Sequence, residues 1–297
     1  MKHTPVKKQF SLVEFMFSLA AYVWLLLSVA IVLLPLLWMI SAAFTKGSLL
    51  SGVPILPDPS KFSLEHFEYV FTYRSNVNSG FMYSDYIRAF MVTFSIAVVN
   101  TVGVVIMAVI TGYAFARLRF KGKKQMLLVM MVLQMFPSFM GMIALFLLFR
   151  QFGMLNKPVY LALIYTAGSI PYNTFLVRGF MRNIPKSLDE AAAIDGATPL
   201  QILIKILFPL IVPIIGFISV GAFMSPWLDF MLQSFFLQNE NTTIAVWLYR
   251  LTEGQNTAYN PLHFMAGALI ITIPIMMIQF FMQKYMVHGL VSGAEKG

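Results

Sequence analysis

The chain has 297 residues, of which 59% are hydrophobic and only 11% charged. A soluble protein carries about 25% charge, so the composition excludes an ordinary soluble domain and points to an integral membrane protein. Cysteine is absent, which excludes disulfides, thiol catalysis and Cys-ligated metal centres, and the net charge of +9 bears on membrane orientation rather than on nucleic acid.

A hydrocarbon core about 30 Å thick needs about 20 apolar residues in helical form. Six uncharged runs meet that length: 19–44, 89–116, 126–149, 158–177, 206–228 and 264–283. Each is expected to be helical, because lipid offers no partner to open backbone groups. A transmembrane barrel is excluded, since the runs are continuous and lack period-two alternation. The first run follows Lys2, Lys7 and Lys8 but is too long for a signal peptide, so it reads as a retained span. Residues 9–18 form either an amphipathic lead-in on the membrane surface or an early extension of that span.

Lys and Arg set the orientation. With the N-terminus in the cytoplasm, the inner segments hold twice as many of them as the outer ones, and RLRFKGKK (117–124) decides most of the difference. Both termini and the loop after the fourth run are therefore expected inside. The outer loops are 45–88 and 229–263; the second contains EGQNTAYNP (253–261), a turn-rich stretch.

No charge lies within the six runs, which argues against a proton-driven pump. Sodium coupling through carbonyls and hydroxyls stays open. The phosphate-cradling pattern GxxxxGK[ST], HExxH and a Ser-His-Asp grouping are all missing, so the chain shows neither catalytic residues nor an energy source. His3, His66, His263 and His288 are widely spaced, carry no metal signature and read as loop or interfacial residues. The neutral polar residues of the spans are Asn100, Thr111, Gln134, Tyr172, Asn173, Thr174 and Gln279. Interhelical hydrogen bonding accounts for most such residues. Asn100, Gln134, Tyr172 and Asn173 are the candidates for a solute pathway. IPYNTF (170–175) stands out, because Pro171 loosens the helix beside three polar side chains.

Between the fourth and fifth runs lies SLDEAAAIDGATPLQI (187–202). Ser187 and Glu190 have capping-box spacing, Asp189 and Glu190 suit the positive end of a helix dipole, and Ala191–Ala193 favour helix. Gly196 supplies a left-handed closing residue. Thr198, Pro199 and Gln201 then start a second helix with a second box, leading through Ile206 and Pro209 into the fifth run. The expectation is a stiff helix–turn–helix hairpin continuous with a span, able to act as a lever. A hairpin that merely connects two spans is the competing reading.

The stretch EAAAIDGATPLQILIKILFP (190–209) resembles the EAA loop of the transmembrane subunits of binding-protein-dependent ABC importers. The family pattern is Glu-Ala-Ala, a Gly six positions after the Glu, and Ile-x-Leu-Pro beginning ten after the Gly. Glu190, Ala191, Ala192, Gly196, Ile206 and Pro209 match it, and Phe208 replaces the usual Leu. YAFARLRFKGK (113–123), LQMFP (133–137) and KYMVHGLVSGAEKG (284–297) look like the smaller permease of maltose/maltodextrin-type importers, with Glu295 where an apolar residue is usual.

The resemblance implies an all-α integral membrane protein with six transmembrane helices, both termini cytoplasmic and a coupling hairpin between spans four and five. Residues 1–18 would form a cytoplasmic N-terminal segment, 19–286 the six-span permease domain with its EAA loop at 187–209, and 287–297 a cytoplasmic tail. Glu190, Ala191, Ala192, Asp195, Gly196 and Pro209 would serve coupling to an ATPase. Gly293, Ala294, Lys296 and Gly297 would reach between two ATPase subunits, and Gly254, Gln255 and Asn256 would touch an extracytoplasmic sugar-binding protein. A homologous second permease would complete the pore in the lipid of a bacterial cell membrane. The chain would bind no cofactor or metal itself; ATP and magnesium belong to the partner ATPase. The rival reading is an ion-coupled secondary transporter or channel with no ATPase.

Overall fold

The computed structural model describes residues 12–74, 84–136, 138–253 and 260–294, with side-chain surroundings over 15–74, 84–136, 140–253 and 260–283. Among them the secondary structure is helical, apart from one isolated antiparallel bridge pairing Thr45 with Phe62.

Helix α1 (Leu12–Phe44) is continuous from Leu12, so the described part of the 9–18 segment extends the first helix and does not form a separate surface element. Nothing in its apolar stretch Phe15–Phe44 supplies a self-contained core: none of its most apolar window is buried by the rest of the chain. Only its last two turns are held, with Trp38 Nε1 donating to the Val53 carbonyl at 3.3 Å and Ser41, Ala42, Ala43 and Thr45 buried. Helix α2 (Glu65–Thr72) lies in the first long loop.

Helix α3 (Asp85–Arg117) starts at Ser84, whose Oγ accepts from the Ile87 N–H at 3.3 Å. It ends on Arg117, a cation at the negative end of the helix dipole. The expected third span does not form one helix. Helix α4 (Lys123–Gln134) stops, and helix α5 (Met142–Gln151) resumes after a tight helical turn over Ser138–Gly141. Pro137 falls at this break, outside the described residues. Proline lacks the N–H and clashes with the carbonyl four residues before it, which interrupts an α-helical ladder.

Helix α6 (Pro158–Arg182) runs through Pro171 without ending there. Two short helices follow, α7 (Ser187–Ile194) and α8 (Pro199–Gln201). A π-helical stretch, Ile202–Leu207, then leads into α9 (Phe208–Leu228). The wider winding has a local cause. Pro209 cannot donate to the carbonyl of Lys205, and the chain adapts by pairing the Phe208 N–H with the Leu203 carbonyl, five residues back. Helices α10 (Met231–Phe236) and α11 (Ile244–Arg250) fill the second long loop, and α12 (Pro261–Ala294) closes the chain.

Among the described residues, four helical segments are long and apolar enough to cross a membrane: Phe15–Phe44, Asp85–Arg117, Pro199–Leu228 and Pro261–Gln283. The bundle is built on α3, α6 and α9, with α12 against α9. Helices α3 and α6 approach closely because glycine permits it. A Cβ on Gly112 would stand 2.6 Å from Val177 Cγ1, and one on Gly103 2.8 Å from Thr166 Oγ1. Asn100 ties all three helices together. Its Nδ2 donates to the Ala222 carbonyl at 2.7 Å, and its Oδ1 accepts from Thr166 Oγ1 at 3.0 Å. Thr111 and Thr174 add a second α3–α6 hydrogen bond at 2.6 Å. Such bonds stabilise membrane bundles by roughly 0.6–2 kcal/mol each.

At the end of the bundle that carries the long loops, a buried aromatic cluster of Tyr86, Trp227 and Trp247 packs with Val70 and Ala266. Two of the histidines that are widely spaced in sequence meet here. His66 and His263 lie with their Nδ1 atoms 2.9 Å apart. His66 Nε2 lies 2.8 Å from the Thr45 carbonyl, which only accepts, so that nitrogen carries the proton. In the neutral His66 ring, Nδ1 is then the acceptor and His263 Nδ1–H the donor. Tyr69 stacks on His263 with ring centroids 3.8 Å apart. The clasp fastens α1, α2 and α12 to one another.

Candidate functional site

The other end of the bundle carries the hairpin. Helix α7 begins one residue earlier than the sequence suggests. Lys186 takes the cap position, and the Glu190 N–H donates to the Lys186 carbonyl at 3.0 Å. The Ser187–Glu190 box is therefore not formed, because Ser187 is already inside the helix. The second box is present: the Thr198 N–H donates to Gln201 Oε1 at 2.8 Å, and the Gln201 N–H to Thr198 Oγ1 at 3.3 Å. Between the helices Gly196 sits at φ +84°. Its N–H donates to the Ala193 carbonyl at 3.1 Å and the Ala197 N–H to the Ala192 carbonyl at 2.9 Å, the paired bonds of a Schellman turn.

The hairpin has two faces. Ala192 is buried with Ile202, Leu203 and Leu207 against Val177, Met181 and Val109 of the bundle. Ala192 thus anchors the hairpin to its own chain. Glu190, Ala191, Asp195 and Gly196 face outward. Beside them two large apolar side chains are bare: Ile194 is 87% exposed and Leu200 64%. The sequence pointed to the acids and alanines of this face but not to these two apolar tips, although Ile194 precedes the Asp-Gly turn, where no apolar periodicity requires it. Pro209 lies near the start of α9, next to the π-helical stretch.

A cavity of about 660 Å³ opens between α3, α6, α9 and α12. Asn100, Tyr172 and Asn173 all line it, together with Ser169, Ser225 and Gln279. Their contributions differ. Asn100 is buried with its amide held by Ala222 and Thr166, so it braces the wall. Asn173 Nδ2 donates to the Ser169 carbonyl at 2.9 Å, along its own helix. Tyr172 is 54% exposed and lines the cavity. Gln134 does not join them; it is the exposed last residue of α4 and lines neither this cavity nor the hairpin. Ser169 and Ser225 escaped the sequence reading, since serine within a span commonly bonds its own backbone, as Ser169 does to the Thr166 carbonyl.

Gly254, Gln255 and Asn256 lie outside the described residues, as do Lys296 and Gly297. Gly293 and Ala294 form the last turn of α12, their side-chain surroundings being outside the description. Among the described residues no cluster of three or more His, Cys, Asp or Glu is arranged to hold a metal.

Long apolar helices around a helix-walled cavity, with a rigid hairpin at one end, are the build of a multi-pass membrane protein. Residues 107–291 match the family model described as "Binding-protein-dependent transport system inner membrane component". Over 281 residues the chain is 36% identical to the galactooligosaccharides transport system permease protein GanQ of Bacillus subtilis (strain 168), covering 94% of this chain and 95% of that protein. It is 33% identical over 281 residues to the maltodextrin transport system permease protein MdxG of the same strain, covering 94% and 96%. The fold is similar to that of a bacterial ABC transporter involved in the import of the acidic polysaccharide alginate, with a TM-score of 0.77 at 22% identity over 94% of this chain and 99% of that one. The chain belongs to the family of binding-protein-dependent transport system inner membrane components.

Proposed function

We propose that this chain is a permease subunit of an ATP-driven oligosaccharide importer in a bacterial cytoplasmic membrane, with maltodextrin as the first substrate to test. The observation that carries the reading is the hairpin: a Schellman turn and a complete capping box stiffen it, one face locks into the bundle, and the other is bare and acidic with two apolar tips. A surface of that kind suits a groove on a neighbouring ATPase. The names of the relatives support the substrate class, and the cavity suits it, offering an aromatic ring beside amides and hydroxyls.

In this reading the chain crosses the membrane six times, with α4 and α5 together forming one broken crossing and α6 another. Both termini and the hairpin are cytoplasmic. A homologous second permease completes the pathway, and two ATPase subunits hold ATP and magnesium. Glu190, Ala191, Asp195 and Gly196 seat the hairpin in an ATPase, and the tail from Gly293 to Gly297 reaches between the two ATPases. Gly254, Gln255 and Asn256 meet the extracytoplasmic sugar-binding protein. ATP binds the closed ATPase pair more tightly than the open one, and that difference in affinity shifts the bundle between inward and outward openings. Tyr172 is the residue of the cavity that faces the passing sugar.

The test is reconstitution of this chain with its second permease, ATPases and binding protein in proteoliposomes. Sugar uptake should require ATP inside and the binding protein outside. Vesicles holding the two permeases alone that concentrate sugar on an ion gradient would favour the ion-coupled transporter instead. A panel of maltodextrins and galactooligosaccharides in the same vesicles separates the two substrate readings.

A further inference from the structure

We infer that Arg117 and Asp189 form the main mechanical joint between the hairpin and the translocation helices, so that α3, rather than α9, is the helix that follows the hairpin. The inference rests on the coupling reading above and names the contact through which it acts.

Beyond the apolar packing of Ala192, Ile202, Leu203 and Leu207 on the bundle, two routes lead from the hairpin into it. The covalent route runs through the π-helical stretch Ile202–Leu207 into α9. Its bonds close over five residues rather than four, and a π turn is one of the places where helices kink. A lever joined only by such a segment loses motion in the joint.

The second route is made by side chains. Arg117 Nε lies 2.5 Å from Asp189 Oδ2, in the first turn of α7, and Arg117 Nη2 donates to the Ile184 carbonyl at 3.0 Å. The guanidinium side chain is only 6% exposed and the carboxylate 18%. One turn earlier on the same face of α3, Tyr113 Oη donates to the Pro199 carbonyl at 3.4 Å. The last two turns of α3 therefore hold the chain ahead of α7, α7 itself and the start of α8. An ion pair shielded this well is little weakened by salt, and removing one partner strands a buried charge.

The joint has a stiff shaft beyond it. Helix α3 is locked to α6 at Gly103 and Gly112, where no Cβ fits without displacing Thr166 or Val177. Asn100 stands 17 residues above Arg117 in α3, about 25 Å along a helix, and braces the cavity wall against α6 and α9. A push on Asp189 thus reaches the cavity through α3 without crossing the π-helical stretch. Arg117 and Asp189 act on sugar only through this chain of contacts and are positioning residues.

The experiment uses the complete importer in proteoliposomes and reads ATP hydrolysed per sugar taken up. Asp189→Asn, Arg117→Gln and the double variant form a cycle, with Gly196→Val as comparator and co-purification of every subunit checked for each. Either single change should raise the ratio about tenfold, the factor a shielded ion pair made more strongly in one state than another is worth. The double variant should be no worse than the worse single one, since both remove the same contact. Multiplying effects, or single variants with the unaltered ratio, overturn the joint. Should Arg117→Gln fail to assemble, the Asp189 position decides alone: Asn uncouples and Glu, which keeps the charge, recovers most of the coupling. If Gly196→Val uncouples and the Asp189 and Arg117 variants do not, the joint is wrong and the hairpin reading stands. If Gly196→Val also leaves the ratio unchanged, the coupling reading itself falls.

Discussion

Replacing Gly196 separates backbone conformation from side-chain bulk as the source of hairpin function. Gly196 has φ +84°, and a Cβ added there meets no heavy atom within 4 Å. Steric crowding therefore contributes nothing, and the whole penalty is conformational. An L residue in the left-handed region costs roughly 1–2 kcal/mol, Asn visits that region most readily, and a β-branched residue is a severe outlier there. The expected cost is a few tenths of a kcal/mol for Gly196→Asn, about 1 for Ala and about 2 for Val. At 1.4 kcal/mol per tenfold, Val lowers the population of the Schellman geometry about thirtyfold. In reconstituted importer, both ATPase retention on the permease pair and uptake per ATP should fall in the order Gly, Asn, Ala, Val. The order is diagnostic, because Asn is larger than Ala. Activities that instead decline with side-chain volume, or a Val variant equal to Asn, would refute the reasoning.

Three further outcomes are expected. Gly112→Leu should force α3 from α6, since its first side-chain atom alone would come within 2.6 Å of Val177, and destabilise the chain by roughly 1–3 kcal/mol in a detergent melt. His66→Phe removes the bonds to the Thr45 carbonyl and to His263, and should cost about 2 kcal/mol in the same measurement while leaving ATPase retention at the far end unchanged. The Gly47 N–H, 2.9 Å from Glu65 Oε1, holds the Glu65 carboxyl below its ordinary value, against a smaller opposing effect of burial. A depressed carboxylate contributes its stability above the unfolded pKa of about 4.3 and loses it as pH falls through the folded value. Hydrogen exchange at Gly47 should therefore accelerate in acid relative to that of neighbouring amides, and a Glu65→Gln variant should lose that difference.

What the sequence discloses is mostly what a few adjacent residues decide. The Gly196 turn and the Thr198–Gln201 box are local, and both form as read. The Ser187–Glu190 box has the right letters in the wrong register, because Lys186 takes the cap position and the helix already starts at Ser187. The π-helical winding has its cause in Pro209, yet proline dictates only that a bond is lost, not how the chain compensates. Pro137 marks the break in the third run, and the apolar count across it hid that break. Tyr172 and Asn173 were legible as polar residues beside a proline, and Asn100 as an amide in a span. Its commitment to α9 and α6 was not, since its partners are 122 and 66 residues away. The His66–His263 clasp spans 197 residues and the Arg117–Asp189 pair joins two helices across α4, α5 and α6; no pattern in either neighbourhood announces them.

Helix α1 is moored at one end. Its last two turns are gripped by the loop-end core, the histidine clasp and α12, while the side chains from Phe15 to Leu37 are exposed. The lean of a rod pinned this way is set by its surroundings. Lipid tails of different length should therefore tilt α1 without disturbing the α3–α6–α9 core, until a second subunit takes hold of its free end.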